Sequence, residues 1–308
     1  MFYRCKNHFF NKKNTFIKML TYVVSGLIII NVKPFVKWAG GKSQLLPQLL
    51  IYKPKLFKRY LEPFVGGGAL LFTLKSKSTL INDSNEELIN CYKVVRDAPA
   101  NLVNELKKHK NEKKYYYEIR KIDPKTLSKV ERAARFIFLN RTCYNGLWRV
   151  NKKNQFNTPF GNYTHPKIVD EKLLKSVSFF LKLTQIFCMD FEDFLLENAK
   201  KDDFIYLDPP YHPISRYSDF KRYTKDFFGL DEQKRLATLF NILNKKKCKL
   251  LLSNSYSDVI LDLYSDYEII TVSARRNINK DPEGRGRVKE VLIRNYGGKN
   301  RTQTRLFP

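Results

Sequence analysis

The chain lacks the features that would mark a disulfide-stapled, zinc-binding or membrane-spanning protein. Its 308 residues include five cysteines, none of them in a Cys-x-x-Cys pair, which argues against both a disulfide framework and a zinc site. The uncharged run from Met19 to Val32 is about 14 residues long, whereas a bilayer-spanning helix needs about 20. We therefore expect a protein of the reducing cytoplasm that uses no metal and does not enter the membrane.

The first 31 residues imitate a secretory signal, because basic residues precede that apolar run. A small-residue cleavage site is missing, however, and Lys33-Pro34 follows instead. We predict that residues 1–31 are an extension of unknown role, in which Met19 is a possible alternative start.

Acidic residues are few: 30 Asp and Glu stand against 57 Lys and Arg, which gives a net charge of +27. The basic residues are spread along the chain rather than held in one tail, so a folded basic surface is expected. Such a surface attracts polyanions, of which nucleic acid is the first candidate. A lysine-rich composition that only favours solubility is the alternative at this point.

Two common phosphate-binding patterns are also missing. Gly40-Gly41-Lys42-Ser43 ends like a phosphate loop, but that motif needs a glycine where Val36 stands. Gly66-Gly67-Gly68 is followed by Ala69, Leu70 and Leu71, so the G-x-G-x-x-G pattern of NAD enzymes is absent. Lys42 and Trp38 remain as a cation and an aromatic face beside a glycine hinge.

A strand, a glycine turn and a helix are nevertheless predicted around Gly66. A second strand, Thr79 to Asn82, ends in Asp83, which lies 17 positions after Gly66. An acid at this strand end is typical of folds that hold the ribose diol of an adenosine cofactor. S-adenosylmethionine (AdoMet) carries adenosine without a pyrophosphate, which suits the shorter glycine turn.

The stretch Asp208-Pro209-Pro210-Tyr211 follows the apolar run Phe204–Leu207, which reads as a short buried strand. Neither proline can donate a ladder hydrogen bond, so the strand must end there. Asp208 and the carbonyl of Pro209 can accept hydrogen bonds from an exocyclic amine, and Tyr211 can stack on its ring.

In combination, these motifs resemble the DNA adenine-N6 methyltransferases that methylate adenine in GATC. The likeness covers about Lys33 to Asn295, and its motifs are Lys37–Lys42, Glu62–Gly68, Leu139–Asn151, Phe156–Gly161 and Asp208–Tyr211. The resemblance implies an α/β fold: a Rossmann-like AdoMet-dependent methyltransferase sheet with an inserted, mainly helical DNA-recognition domain. It also implies that the residues contacting AdoMet include Trp38, Lys42, Asp83 and Asp208, beside Gly66 and Gly68 of the glycine turn.

Residues 86–166 are predicted to be this target-recognition domain, and residues 32–85 and 167–308 the catalytic domain. The Asn145-Gly146 turn is flanked by aromatic and basic residues, and arginine can bind guanine bidentately. The resemblance implies that bases are read, and the space left by a flipped adenine is filled, by Tyr144, Asn145, Leu147 and Arg149, with further contacts from Lys37 and Pro159. Lys107–Lys114 is expected to be a solvated helical face.

Two later segments have less specific predictions. Tyr217–Phe228 is expected either to close over the substrate as a lid or simply to lead into the next helix. The arginines between Arg275 and Arg287 suit the phosphate backbone.

The predicted function is methylation of N6 of adenine in double-stranded DNA, with catalysis by Asp208, Pro209 and Tyr211. The duplex hides N6, so base flipping is expected. We expect a monomer, with a cognate restriction endonuclease as a possible partner of the same system. Two alternatives stay open: methylation of RNA or of a protein amide, and a DNA-binding protein whose catalytic fold has decayed.

Overall fold

Eight strands form one sheet in the computed structural model, which describes residues 32–211, 228–275, 287–297 and 303–304. The predicted extension 1–31 and most of the segments Tyr217–Phe228 and Arg275–Arg287 lie outside these residues. The strands are β1 Tyr60–Glu62, β2 Thr79–Asn82, β3 Thr184–Phe187, β4 Phe204–Leu207, β5 Lys249–Ser255, β6 Glu268–Arg275, β7 Arg287–Arg294 and β8 Gln303–Thr304.

The strand order is β3-β2-β1-β4-β5-β7-β6-β8. Strand β7 runs antiparallel to its neighbours β5 and β6, and the other pairs are parallel. The chain builds outward from β1 to β3 and then returns to place β4 on the other side of β1. This reversal is a topological switch point, where ligands bind outside the carboxyl ends of parallel strands.

Ten α-helices accompany the sheet in the part of the chain described. They are α1 Leu46–Tyr52, α2 Ala69–Leu74, α3 Glu86–Asp97, α4 Pro99–Leu106, α5 Lys113–Lys121, α6 Lys129–Thr142, α7 Glu171–Leu181, α8 Phe191–Asn198, α9 Leu230–Lys245 and α10 Asp258–Leu263. None of these helices is long and apolar enough to cross a membrane. The architecture confirms the predicted α/β class and its Rossmann-like methyltransferase sheet.

The central strands are apolar because both faces of the sheet are covered. All four residues of β2 and of β4 are buried, as expected for parallel strands flanked by helices. The core around them combines Leu61, Ile205 and Leu250 with aromatic side chains such as Phe240 of α9. The sheet is therefore a rigid base for the residues at its carboxyl edge.

Helices α3 to α6 lie between β2 and β3, where the recognition domain was predicted. Helix α6 begins with a capping box in which Ser128 and Glu131 bond to each other's backbone N–H groups. The expected helix at Lys107–Lys114 was wrong for residues 107–112, because α4 ends at Leu106 and α5 begins only at Lys113. The lysines of this stretch are exposed, as expected. The residues from Val32 onward form one compact unit, and the boundaries at 86 and 166 stay a prediction.

Candidate active site

The motif that begins with Asp208 lies directly after β4, at the carboxyl edge of the sheet. The Oδ1 atom of Asp208 lies 2.7 Å from Nζ of Lys42 and accepts a hydrogen bond of 2.9 Å from Oγ of Ser253. Ser253 is on β5, which pairs in parallel with β4. Because both partners bind Oδ1, the described residues place no hydrogen bond on Oδ2.

Burial and charge act in opposite directions on Asp208. Removal from water raises the pKa of its carboxyl group, while the ammonium of Lys42 and the hydroxyl of Ser253 counteract that rise. Lys42 itself is buried, donates to the carbonyl of Gly40 at 2.7 Å and lies 4.5 Å from the centre of the Tyr211 ring. Lys42 thus favours the ionised form of Asp208 from within the site.

The phenol of Tyr211 is held at its far end. Its hydroxyl donates a 2.8 Å hydrogen bond to Oε2 of Glu290 on β7. Strand β7 reaches this edge because its antiparallel register pairs Glu290 with Ser255, the last residue of β5. Burial, followed by the charges of Asp208 and Glu290, raises the pKa of Tyr211 well above its usual value. The phenol is therefore neutral, and its hydroxyl is held by Glu290.

The glycine turn after β1 meets Asp83 after β2. The backbone N–H of Gly66 donates to Oδ2 of Asp83 at 3.0 Å, and the N–H of Asn85 donates to Oδ1 at 3.0 Å. Burial raises the pKa of Asp83 to about 6, against the effect of these two hydrogen bonds. Gly66 has φ +47°, and a Cβ there would lie 2.6 Å from Cδ1 of Trp38, so only glycine fits.

Asn140 of α6 fixes the segment that carries Lys37 and Trp38. Its Oδ1 accepts from the N–H of Lys37 at 2.8 Å, and its Nδ2 donates to the carbonyl of Lys37 at 2.7 Å. The same amide also donates to the carbonyl of Gly146 at 3.3 Å. One buried side chain therefore ties the Trp38 segment to the predicted base-reading turn.

That turn follows α6 as a single 3-10 turn, Tyr144–Gly146. Asn145 and Gly146 have φ of +54° and +62°, which confirms the predicted Asn-Gly turn. The N–H of Tyr144 donates to the carbonyl of Pro159 at 2.9 Å. Tyr144 is 53% exposed, so its ring is available to a partner.

Lys37 packs directly over the turn, since a Cβ on Gly146 would overlap its side chain. Its ammonium lies 4.7 Å from the centre of the Tyr163 ring. Arg149 donates through Nε to Oδ1 of Asn157 at 2.8 Å. A cleft of about 410 Å³ adjoins Lys37, and its lining includes Arg141, Tyr163, His165 and Lys167.

The predicted residues thus fall into two connected groups. The first surrounds the edge of β1, β2 and β4 and contains Trp38, Lys42, Gly66, Gly68, Asp83, Asp208, Pro209 and Tyr211. The second surrounds the turn after α6 and contains Lys37, Tyr144, Asn145, Leu147, Arg149 and Pro159. Sequence reasoning missed Ser253, Glu290 and Tyr163. Ser253 lies near the carboxyl end of a predicted strand, and that position was a usable signal. The sequence did not show, however, that this strand lies beside β4 and therefore beside Asp208.

Within the described ranges, no three His, Cys, Asp or Glu side chains gather as metal ligands would. The strand order and the meeting of the two motifs at the switch point define a Rossmann-like methyltransferase.

Comparison with known proteins gives the family. The D12 class N6 adenine-specific DNA methyltransferases match residues 38–278, and the chain belongs to this family. It is similar to the type II methyltransferase M1.LlaDCHI of Lactococcus lactis subsp. cremoris, with 44% identity over 87% of this chain and 97% of that protein.

Other relatives extend across distant organisms. The type II methyltransferase M.MjaIII of Methanocaldococcus jannaschii is 45% identical over 87% of this chain and all of that protein. The DNA adenine methylase of Haemophilus influenzae is 34% identical over 84% of this chain and 92% of that protein. The predicted enzyme, an adenine-specific DNA methyltransferase, is confirmed. Its family implies a DNA substrate and a methyl donor of the AdoMet type.

Proposed function

We propose that the protein transfers a methyl group from AdoMet to N6 of an adenine in double-stranded DNA, within the sequence GATC. The observation that carries this proposal is the placement of Asp208 and Tyr211 at the switch point, one strand away from the Gly66–Asp83 pair. A carboxylate, a stacking ring and an adenosine-type site then share one crevice.

The residues after β1 and β2 fit AdoMet. The positive φ angles of Gly66 and Gly68 expose backbone without a side chain, and Trp38 lines the same turn. Each oxygen of Asp83 accepts one backbone hydrogen bond and keeps a lone pair for a ribose hydroxyl. AdoMet, when bound, supplies the methyl group. Trp38, Lys42, Gly66, Gly68, Asp83 and Asp208 would hold it.

Asp208 and Pro209 would prepare the nitrogen for attack. The N6 lone pair is delocalised into the adenine ring, so the amine is a poor nucleophile. Oδ2 of Asp208 would accept a hydrogen bond from one N6–H group and the carbonyl of Pro209 a hydrogen bond from the other, which favours a more tetrahedral nitrogen. The N6 lone pair would take the methyl group, the electron pair of the methyl–sulfur bond would stay on sulfur, and N6 would then release one proton to water. Positioning supplies much of the acceleration.

The turn after α6 would contact the duplex around the flipped adenine. N6 is inaccessible inside a helix, so the adenine must leave the stack at a cost of a few kcal/mol. Stacking on Tyr211 offsets part of that cost. Tyr144, Asn145 and Leu147 would fill the vacated space, while Arg149, Lys37 and Pro159 would contact bases.

The cleft beside Lys37 would accept the DNA backbone. Arg141 and Lys167 line it, and such cations bind phosphates without reading sequence. GATC specificity rests on the family resemblance of the turn. The two relatives named type II methyltransferases support a cognate restriction endonuclease as partner, and we propose that this protein acts as a monomer.

Replacement of Asp208 by alanine tests the proposed chemistry. We expect Asp208→Ala to lower methyl transfer by about 100-fold or more, because an unaligned nitrogen loses the benefit of positioning. Binding of a GATC duplex should be retained, since the turn after α6 is untouched. The matched control is Asp262→Ala, an exposed aspartate of α10. Methyl transfer by Asp208→Ala at the rate of the unmodified protein would disprove the role of Asp208.

A further inference from the structure

The Asp208–Tyr211 loop is held by a buried pair of amides as well as by Ser253 and Glu290. The Nε2 group of Gln233 donates a 2.9 Å hydrogen bond to the carbonyl of Pro210. The Oε1 atom of Gln233 accepts a 3.0 Å hydrogen bond from Nδ2 of Asn254. Both amide side chains are fully buried, so water does not compete for these bonds.

The two amides come from elements that flank β4. Gln233 lies in the first turn of α9, and Asn254 lies on β5 next to Ser253. Successive residues of a strand point to opposite faces of the sheet. Strand β5 therefore supports the loop at two places: Ser253 bonds directly to Asp208, and Asn254 acts on Pro210 through Gln233.

This support matters because the loop has few other ways to be held. Pro209 and Pro210 have no backbone N–H, their rings fix φ, and Pro210 also restricts the ψ angle of Pro209, so the ψ angle of Pro210 is the torsion left to be set. The carbonyl of Pro210 lies in the peptide plane that leads into Tyr211. A hydrogen bond to that carbonyl therefore sets the direction in which the backbone enters Tyr211, and with it the plane on which an adenine would stack.

The orientation of each amide also depends on its partner. Asn254 uses Oδ1 to accept from the N–H of Ser255 at 2.8 Å, so Nδ2 is the group turned toward Gln233. Gln233 then presents Oε1 to Asn254 and Nε2 to Pro210. If the donor on Asn254 were lost, the Gln233 amide would turn over and bring Oε1 against the Pro210 carbonyl, where two acceptors repel each other.

We propose that Gln233 and Asn254 are positioning residues for methyl transfer, which act together through the carbonyl of Pro210 on the orientation of Tyr211. This inference rests on the proposed roles of Asp208 and Tyr211. It assigns neither amide a contact with DNA or with AdoMet. Loss of either residue should therefore slow the chemical step and leave binding of the methyl donor unchanged.

We call the chain of hydrogen bonds from Asn254 through Gln233 to the Pro210 carbonyl the amide relay, and three variants test it. Gln233→Met keeps the side-chain length, and Asn254→Asp keeps the acceptor for Ser255 but removes the donor. The third is the double variant. Single-turnover methylation of a GATC duplex should slow at least about ten-fold in each single variant. The KM for AdoMet should stay within about two-fold of the unmodified protein. Because the residues act as one unit, the double variant should be no slower than the slower single variant, within about two-fold.

Asn295→Leu is the control for the loss of side-chain amide hydrogen bonds away from the Asp208–Tyr211 loop, and Asn295 is partly buried. The Asn295 side chain makes three hydrogen bonds near the start of β5, to Asn244, Cys248 and Leu250. The melting temperature of Asn295→Leu should fall at least as far as that of Gln233→Met, while the single-turnover rate of Asn295→Leu should equal that of the unmodified protein.

Three results would overturn the relay: single variants with the rate of the unmodified protein, effects that multiply in the double variant, or an equal loss in Asn295→Leu. Asp208→Ala, assayed in parallel, separates the two proposals. If Asp208→Ala is inactive while Gln233→Met is unaffected, the relay fails and the proposed chemistry stands. If Asp208→Ala remains active, the chemistry on which the relay rests fails.

Discussion

The two oxygens of Asp208 have different surroundings. Lys42 and Ser253 both bind Oδ1, and the described residues leave Oδ2 for a ligand. With both partners on Oδ1, the carboxylate can stay ionised while Oδ2 accepts a hydrogen bond from the substrate. Lys42 then does more than the cofactor contact that the resemblance implies, because it favours the ionised form of the acceptor.

This arrangement predicts a pH effect for Lys42→Met. Burial raises the pKa of Asp208 and Lys42 lowers it, so removing the ammonium raises the pKa further. At any pH near that value, less of Asp208 is then ionised. The acidic limb of the pH–rate profile should move to higher pH, measured under single-turnover conditions with saturating AdoMet. Ser253→Ala should move the limb in the same direction by a smaller amount. An unshifted limb in Lys42→Met would contradict this role.

Asp83 gives a second pH prediction. Its pKa is raised to about 6, so it is protonated below that pH and a weaker acceptor for a ribose diol. AdoMet affinity, measured by calorimetry between pH 5 and pH 8, should therefore weaken as the pH falls through about 6. Asp83→Asn should bind AdoMet more weakly and lose this dependence. The same pH dependence in Asp83→Asn would show that another group titrates.

At the scale of elements, the carboxyl-terminal end of α6 connects the two groups of predicted site residues. Helix α6 carries Asn140, which holds the Lys37–Trp38 segment, and the turn proposed to read bases begins two residues after the helix ends at Thr142. Two isolated antiparallel bridges, Cys143–Phe160 and Val150–Phe156, join the residues around this turn to the segment 156–160. A movement of the turn would therefore reach the Lys37–Trp38 segment in two ways: through the buried Asn140 amide and through the Lys37 side chain that packs over Gly146.

The turn predicts the effect of Arg149→Lys. Asn157 anchors Nε of Arg149, and the terminal nitrogens form a planar fork that can meet a guanine edge bidentately. Lysine lacks this rigid fork. A bidentate contact is worth about 1–3 kcal/mol of discrimination, so preference for GATC over a site altered at one guanine should fall by roughly 10- to 100-fold. The ratio of kcat/KM on the GATC duplex to kcat/KM on the altered duplex measures this preference.

Arg132→Lys is the control for that substitution. Arg132, near the start of α6, forms an ion pair with Glu87 of α3 and lies outside the turn. Arg132→Lys should therefore leave the preference for GATC intact. Equal discrimination by Arg149→Lys and the unmodified protein would exclude Arg149 as a reader of guanine.

At the scale of the whole molecule, strand ends could be predicted from the sequence, but strand neighbours could not. Asp83 and Asp208 were placed correctly because each follows an apolar run bounded by turn residues. Ser253 and Glu290 were missed because their roles depend on β5 and β7 lying beside β4, which is a property of the sheet order. The Lys107–Lys114 error arose for a related reason: lysine-rich polarity fits a connection as well as a helical face.

The amide relay could not be predicted from the sequence, because it too depends on which elements lie side by side in the fold. Gln233 and Asn254 are 21 residues apart, on a helix and a strand, and carry no local pattern of their own. The net charge of +27, by contrast, predicted an affinity for polyanions without any knowledge of the fold, and the DNA-methylating family agrees with it.

Transfer of labelled methyl from AdoMet to two matched duplexes tests the central claim most directly. One duplex contains a single GATC, and in the other the same bases are scrambled. We predict label on N6 of adenine in the first duplex and none in the second. Equal label on both would contradict the proposed GATC specificity, and no label on either would contradict methylation of double-stranded DNA from AdoMet.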